Sequence, residues 1–435
     1  MKKAGIFLHA FPGHFHRFVR EKETCPDPGF PADISGYVIR KPGVAPGKNR
    51  DYPGLPISDP YRVVSGRVIL NLFQDLIAPT GTKLILLLFF LIASCSEEPV
   101  ETVFFNFKGG EGVFICNEGN FMYGNASLSF YDSNTRKVTN HIFQARNGAP
   151  LGDVVQSMNI LGDRGFVVVN NSGKIYVIDT ETAEFKGSIT GLSSPRYIHF
   201  VSSEKAYITD LYNTKITIIN PETLQKTGSI DVSEPLSQFL QHSTEQMVQW
   251  GKYVFVSCWS YDNTVLVIDS ETDRVVEEIE VPIQPKSMAL DKNSKLWVLT
   301  DGGFEGNPFG FEAPALVKID ASTFEVERLW RFAKGNHPSG LTMNATADTL
   351  YFLNLHVWQM PVDATKLPES PFIESPYTDT YGGFYSLSID PKTSDVYVGD
   401  AIDHRQDGMV YRYSSSGELK DHFRVGIAPG YLVFK

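Results

Sequence analysis

Cysteine is scarce, with four in 435 residues, and only Cys116 and Cys258 lie beyond residue 95. Both sit in apolar, strand-like runs, so buried thiols are expected rather than a disulfide scaffold, and no Cys/His spacing resembles a zinc site. Long hydrophobic runs are also missing. The longest, Leu84 to Ser94, has eleven residues, about half of the roughly 20 that a membrane-spanning helix needs. Positive charge is short too: Lys and Arg total 39 against 50 Asp and Glu. The deficit deepens after residue 95, where 27 basic residues face 43 acidic ones. That balance argues against nucleic acid or an anionic membrane surface as a partner. No HExxH motif, P-loop, Ser-His-Asp order or defensible carboxylate pair is present, and His141, His199, His242 and His422 stand isolated in sequence. The Asp400, Asp403, Asp407, Gly408 run departs from calcium-loop spacing. No catalytic residue, metal or cofactor is expected.

The short apolar run carries a signal of its own. Lys83 precedes it, it ends in Ile92-Ala93-Ser94-Cys95, and Ser96-Glu97-Glu98 follows. This resembles a bacterial lipobox, which implies acylation of Cys95. Acidic residues directly after it resemble the surface-export signal of Bacteroidetes lipoproteins. The expected organisation is a signal segment over 83–95, a tether over 96–110, and a folded domain over 111–435. Residues 1–82 have no sustained period of 3.6 or 2.0. They are read as an extension outside the mature protein, either a mis-assigned start or a disordered region, with no function.

What remains is rich in aromatics and in Gly, Asn and Asp turns, the composition of β structure. A unit of three strands recurs. Gly165–Asn170, Lys174–Asp179 and Glu184–Ile189 form its clearest copy; Ala206 to Ile230 and Tyr253 to Ile279 repeat it. Looser copies begin at Val113, Leu296, Leu350 and Val396. Thr-Glu-Thr at 180–182, Pro-Glu-Thr at 221–223 and Ser-Glu-Thr at 270–272 supply the same turn. Between copies lies a short strand whose apolar third residue is Met158, Ile198, Met247, Met288, Leu341, Leu387 or Leu432, at intervals of 40, 49, 41, 53, 46 and 45. Seven short strands and seven sets match only if the last short strand joins the first set. The expected fold is therefore an all-β, seven-bladed propeller closed by the C-terminal strand, which protects the edges that an open array would expose.

These repeats resemble the YncE/YVTN-like propellers. The first blade, Asn117-Glu118-Gly119-Asn120-Phe121-Met122-Tyr123-Gly124-Asn125-Ala126-Ser127-Leu128-Ser129, resembles the DUF5074 family of Bacteroidetes surface proteins. Ligand chemistry is expected at one rim, where short strands begin and second strands end. On this register the rim gathers Gln156, Arg196, Glu245, Lys286, His337, Tyr385 and Tyr431 from the short strands, Asn117, Asn170 and Asp210 from second-strand ends, and Tyr123, Trp259 and Trp358 from loops. Polar groups mixed with aromatics suit a sizeable, partly planar, amide-rich ligand. Blander roles stand beside this one: Asn and Asp as turn residues, Arg196, Glu245 and Lys286 as mutual partners, Trp259 and Trp358 as packing between blades.

Surface propellers of this kind resemble the BtuG-type proteins. The resemblance implies an outer-membrane lipoprotein facing the exterior that captures cobalamin or another corrinoid for a TonB-dependent transporter and meets the membrane only through its lipid. A scaffold binding protein or glycan, and a propeller lactonase or hydrolase, are the alternative functions.

Overall fold

The computed structural model describes residues 103–237, 240–378 and 383–435. The lipidation residue Cys95, the signal segment and the 1–82 extension lie outside them, as do residues 96–102 of the tether.

Alternating sequences become four-stranded antiparallel blades, each running from the centre outward. Blade 2 is Val155–Leu161, Arg164–Val169, Lys174–Asp179 and Phe185–Ile189. Blade 3 is Pro195–Phe200, Ala206–Asp210, Lys215–Ile219 and Lys226–Asp231. Blade 4 is Thr244–Trp250, Tyr253–Cys258, Thr264–Asp269 and Arg274–Glu280. Blade 5 is Pro285–Leu290, Lys295–Thr300, Ala315–Asp320 and Val326–Arg331. Blade 7 is Phe384–Ile389, Val396–Asp400, Asp407–Tyr413 and Leu419–Ile427. In blade 1 the innermost strand is Pro429–Phe434, from the end of the chain. It pairs with Gly112–Asn117 through Phe114↔Val433 and Ile115↔Leu432. Ser127–Asp132 and Lys137–Thr139 complete that sheet. The expected closure by the C-terminal strand is thus present.

Blade 6 differs from the expected set. Among the described residues only Ser339–Met343, Thr349–Asn354 and His356–Pro361 pair as strands there. The outer position is held by a single bridge between Val357 and Ile373. Pro361, Pro368 and Pro371 lie in or beside the segment that would supply a fourth strand, and proline has no N–H to give a ladder.

The turn between third and fourth strands is chemically fixed. Asp179 Oδ1 accepts the backbone N–H of Glu181 at 2.9 Å and Thr182 at 3.0 Å, Asn220 does the same for Glu222 and Thr223, and Asp269 for Glu271 and Thr272. Each turn closes through a non-glycine residue at positive φ, Ala183, Leu224 or Asp273. The side-chain acceptor ties up two amides where the backbone must reverse.

Among the described residues seven hydrophobic clusters form the core, each shared by two adjacent blades. Phe114, Cys116 and Leu128 of blade 1 meet Val155, Met158 and Val167 of blade 2, with the short helix Ile142–Asn147 packed over them. Val113, Ile115 and Leu432 of blade 1 meet Tyr397 and Val410 of blade 7. Closure is therefore a core interface of the same kind as the other six. Leu432→Ala should cost about 2–5 kcal/mol, whereas Leu419→Ala, on an exposed outer strand, should stay within about 0.5 kcal/mol. Urea midpoints of the two variants against the parent chain measure the difference.

Candidate functional site

Every innermost strand carries one residue more than its partner. The register slips between Val155 and Ser157, Pro195 and Ile198, Thr244 and Met247, Pro285 and Ser287, Ser339 and Thr342, and Phe384 and Ser386. In blade 1 it slips opposite Cys116 and Asn117, which leaves Gly430 unpaired. A β-bulge releases one residue from the ladder and re-aims its side chain. Seven of them at one level put Gln156, Arg196, Glu245, Lys286 and Tyr385 on the wall of the central cavity. The neighbouring residue then stitches one blade to the next. Ser157 Oγ donates to Arg196 O at 2.7 Å, Ser386 Oγ donates to Pro429 O at 2.6 Å, and Ser287 Oγ accepts Leu341 N–H at 3.1 Å.

Two blades supply glycine at this level. Gly340 has φ +65° and brings no side chain to the collar; a Cβ there would meet Leu387 Cβ at 3.4 Å. At Gly430 a Cβ would stand 2.1 Å from Glu118 Oε1, so the Glu118 side chain occupies the position that blade 1 would otherwise fill. Around the cavity the collar reads Glu118, Gln156, Arg196, Glu245, Lys286, Gly340, Tyr385. One residue further along their strands, the Tyr197 and Tyr431 rings meet edge to face at 5.9 Å. The cavity encloses about 1240 Å³ of empty space, including the solvent at its mouth.

The collar is highly polar yet close to charge-balanced. Arg196 binds Glu245 through two bonds, Nε to Oε2 at 2.6 Å and Nη2 to Oε1 at 2.7 Å. Burial disfavours the guanidinium charge, and the Glu245 carboxylate more than restores it. Tyr385 Oη donates to Glu118 Oε2 at 2.9 Å. Glu118 is buried, and that burial pushes its carboxyl up to about 7, against the pull of Tyr385, Arg196 and Lys286. Lys286 makes no hydrogen bond or ion pair among the described residues. Its Nζ stands 5.4 Å from the centre of the Trp259 ring, and Arg196 Cζ stands 5.8 Å from the same ring.

The expected site residues divide into two groups. Gln156, Asn170, Arg196, Glu245, Trp259, Lys286, Tyr385 and Tyr431 line the cavity together. Trp259 is nonetheless only 7% exposed, its Nε1 donating to Asp301 Oδ2 at 2.8 Å, so it is a wall rather than a free loop side chain. Asn117, Tyr123, Asp210, His337 and Trp358 are not on the lining. Asn117 is buried and donates to Ser127 and Ser129 inside blade 1. Asp210 is used up by the backbone amides of Ser193, Ser194 and Tyr212. Trp358 packs beside the core between blades 5 and 6 and donates to Asn354 O. Tyr123, 79% exposed, stands with exposed Met122 in the loop that also carries the lining residue Phe121. Glu118, Tyr197 and Gln246 line the cavity but were missed. Glu118 shows no sequence signal, because its place is set by a glycine more than 300 residues away.

The raised Glu118 carboxyl implies a stability slope. The folded state holds this proton more tightly than the unfolded chain, so the contribution is complete below the ordinary carboxyl range and is lost as pH rises through about 7. Urea unfolding should show a loss on the order of 3 kcal/mol between pH 5 and pH 8, and Glu118→Gln should flatten it.

Solved structures with this architecture include a quinonprotein alcohol dehydrogenase-like protein from Bacteroides thetaiotaomicron. It is 15% identical with a TM-score of 0.57, over 76% of this chain and 79% of that one. A putative 6-phosphogluconolactonase from Bacteroides fragilis is 12% identical with a TM-score of 0.53, over 75% and 98%. A functionally unknown protein from Desulfotomaculum acetoxidans is 11% identical with a TM-score of 0.53, over 74% and 98%. At these identities the likeness is one of fold. No curated protein matches the chain in sequence. The family described as a domain of unknown function, DUF5074, matches residues 111–431, and the chain belongs to it.

Proposed function

We propose that this propeller is a surface capture protein that binds a corrinoid at the mouth of its central cavity and passes it to a TonB-dependent outer-membrane transporter. The observation that carries the reading is the collar of inward-turned donors and acceptors with nearly balanced charge. Glu118 and Glu245 face Arg196 and Lys286, and the Arg196–Glu245 pair is internally satisfied. Such a collar favours neutral hydrogen-bonding groups over free anions or cations. Lys286 offers a donor to a carbonyl, and protonated Glu118 offers another. Exposed Met122 and Tyr123 add apolar area beside the opening. A flat macrocycle edged with amides uses both kinds of contact, lying across the mouth with its edge groups turned into the collar. The lipobox-like Ile92-Ala93-Ser94-Cys95 supports attachment to the outer membrane through an acylated Cys95.

Calorimetric titration of cyanocobalamin into the full chain should give one-to-one binding. Tyr123→Ala should weaken it by about tenfold, or about 1.4 kcal/mol, without moving the thermal midpoint. Absence of heat at two temperatures would exclude the corrinoid and direct the search for a ligand to proteins and glycans. In a bacterial expression host, Cys95→Ser should move the protein from the membrane fraction to the soluble fraction. An unchanged distribution would rule out the lipid anchor.

A further inference from the structure

The segment that leaves blade 3 and enters blade 4 holds a buried histidine with an unused ring nitrogen. His242 follows the outer strand Lys226–Asp231 and stands two residues before the inner strand Thr244–Trp250. Its N–H donates to Val232 O at 2.9 Å, and its carbonyl accepts Thr244 N–H at 3.0 Å, so the backbone is held on both sides. The side chain is only 6% exposed. Nδ1 lies 2.9 Å from Oδ2 of Asp262, itself buried, whose other oxygen accepts Asn263 N–H at 2.8 Å. An ionised Asp262 holds the proton on Nδ1, which turns the lone pair of the neutral ring onto Nε2.

Nε2 is buried and has no hydrogen-bond partner. Leaving such an atom unmatched costs about 1–3 kcal/mol. It stands 4.0 Å from Glu234 Oε2, in the loop after blade 3, and 4.0 Å from Glu278 Oε2, on the outer strand of blade 4. The three atoms lie within 4.8 Å of one another, close enough for one ion to reach them all.

We propose that His242, Glu234 and Glu278 form a zinc site that staples the exit of blade 3 to the outer strand of blade 4. Imidazole with two carboxylates suits a borderline divalent ion rather than calcium or magnesium. Bond lengths of about 2.0–2.2 Å require each carboxylate to move inward by roughly half an ångström. Glu234 and Glu278 are 30% and 57% exposed; Glu234 Oε1 accepts Leu236 N–H at 2.8 Å, which leaves Oε2 to turn to the metal while the histidine stays fixed. Asp262 behind Nδ1 is the outer carboxylate that orients a metal-binding imidazole. Cys258 also lies within reach of the His242–Asp262 pair. Burial keeps its thiol protonated, and the pairing of Asp262 with Nδ1 sets that group apart from the Nε2 site. A proton competes with the metal for Nε2. Zinc uptake therefore weakens under acid conditions.

The test is calorimetric titration of Zn²⁺ into the full chain near neutral pH, with Co²⁺ absorption as a second probe. One equivalent should bind, the thermal midpoint should rise with added zinc, and the cobalt spectrum should lack a thiolate charge-transfer band. Glu234→Gln with Glu278→Gln, both on partly exposed side chains, should abolish binding and the zinc-induced rise, read against the variant's own metal-free midpoint. Asp262→Asn should weaken binding by about 10–100-fold. No zinc bound by the parent chain, undiminished binding in the double variant, or a thiolate band would each overturn the assignment.

Discussion

One surplus residue in each innermost strand is the constraint on which the rest of this propeller depends. Without it, side chains at that level would follow the simple alternation of a paired strand. With it, the ladder slips by one at the same height in all seven blades. The released residue turns inward, and the next one is placed to bond the neighbouring blade. Ser157, Ser287 and Ser386 make that second contact, so the device that opens a collar also locks adjacent strands together. Hydrophobic burial between blades supplies the bulk of the cohesion. The slips decide what the cohesion leaves at the centre.

The collar is expensive to maintain. Arg196 and Glu245 are both withdrawn from water, and a buried ion pair returns little net stability once desolvation is counted. Glu118 is a further buried carboxyl on the same wall, neutralised in part by its own raised proton affinity. Residues that stabilise poorly and recur at one level of a cavity are better explained by what they face than by what they hold up. The opposite rim is economical by comparison. Its Asp and Asn turns bond their own backbone, and side chains of the preceding blade only add to them, Arg164 donating to Pro221 O and Lys205 to Ser270 O, each at 2.9 Å.

Much of this was legible in the sequence because it is local and repeated. The Ile-Asp strand ends with their Glu-Thr turns mark third strands one by one, and the short-strand triplets carry the register. That register set Gln156, Arg196, Glu245, Lys286 and Tyr385 at a common level before any pairing was known. Features that depend on distant partners were not legible. Glu118 takes its place because Gly430 leaves room. His242 looks solitary in the sequence, since Glu278 lies on the outermost strand of another blade. Trp259 reads as a loop aromatic, but its indole is tied to Asp301 and walled in by Arg196 and Lys286. Asn117 and Asp210 sit where expected, and internal hydrogen bonds have already spent them. The lost outer strand of blade 6 left a trace in its prolines, which the blade count could not register.

Gly340 gives the collar a direction. A lumen with seven equivalent walls would let an occupant turn among seven settings of equal energy. Here one wall is blank, the places flanking it carry Lys286 and Tyr385, and Glu118 stands beside Tyr385. The ring is thus keyed like the bore of a lock. The missing side chain makes the seven positions of the collar inequivalent, so the lumen presents a ring of changing chemistry with one orientation marked on it.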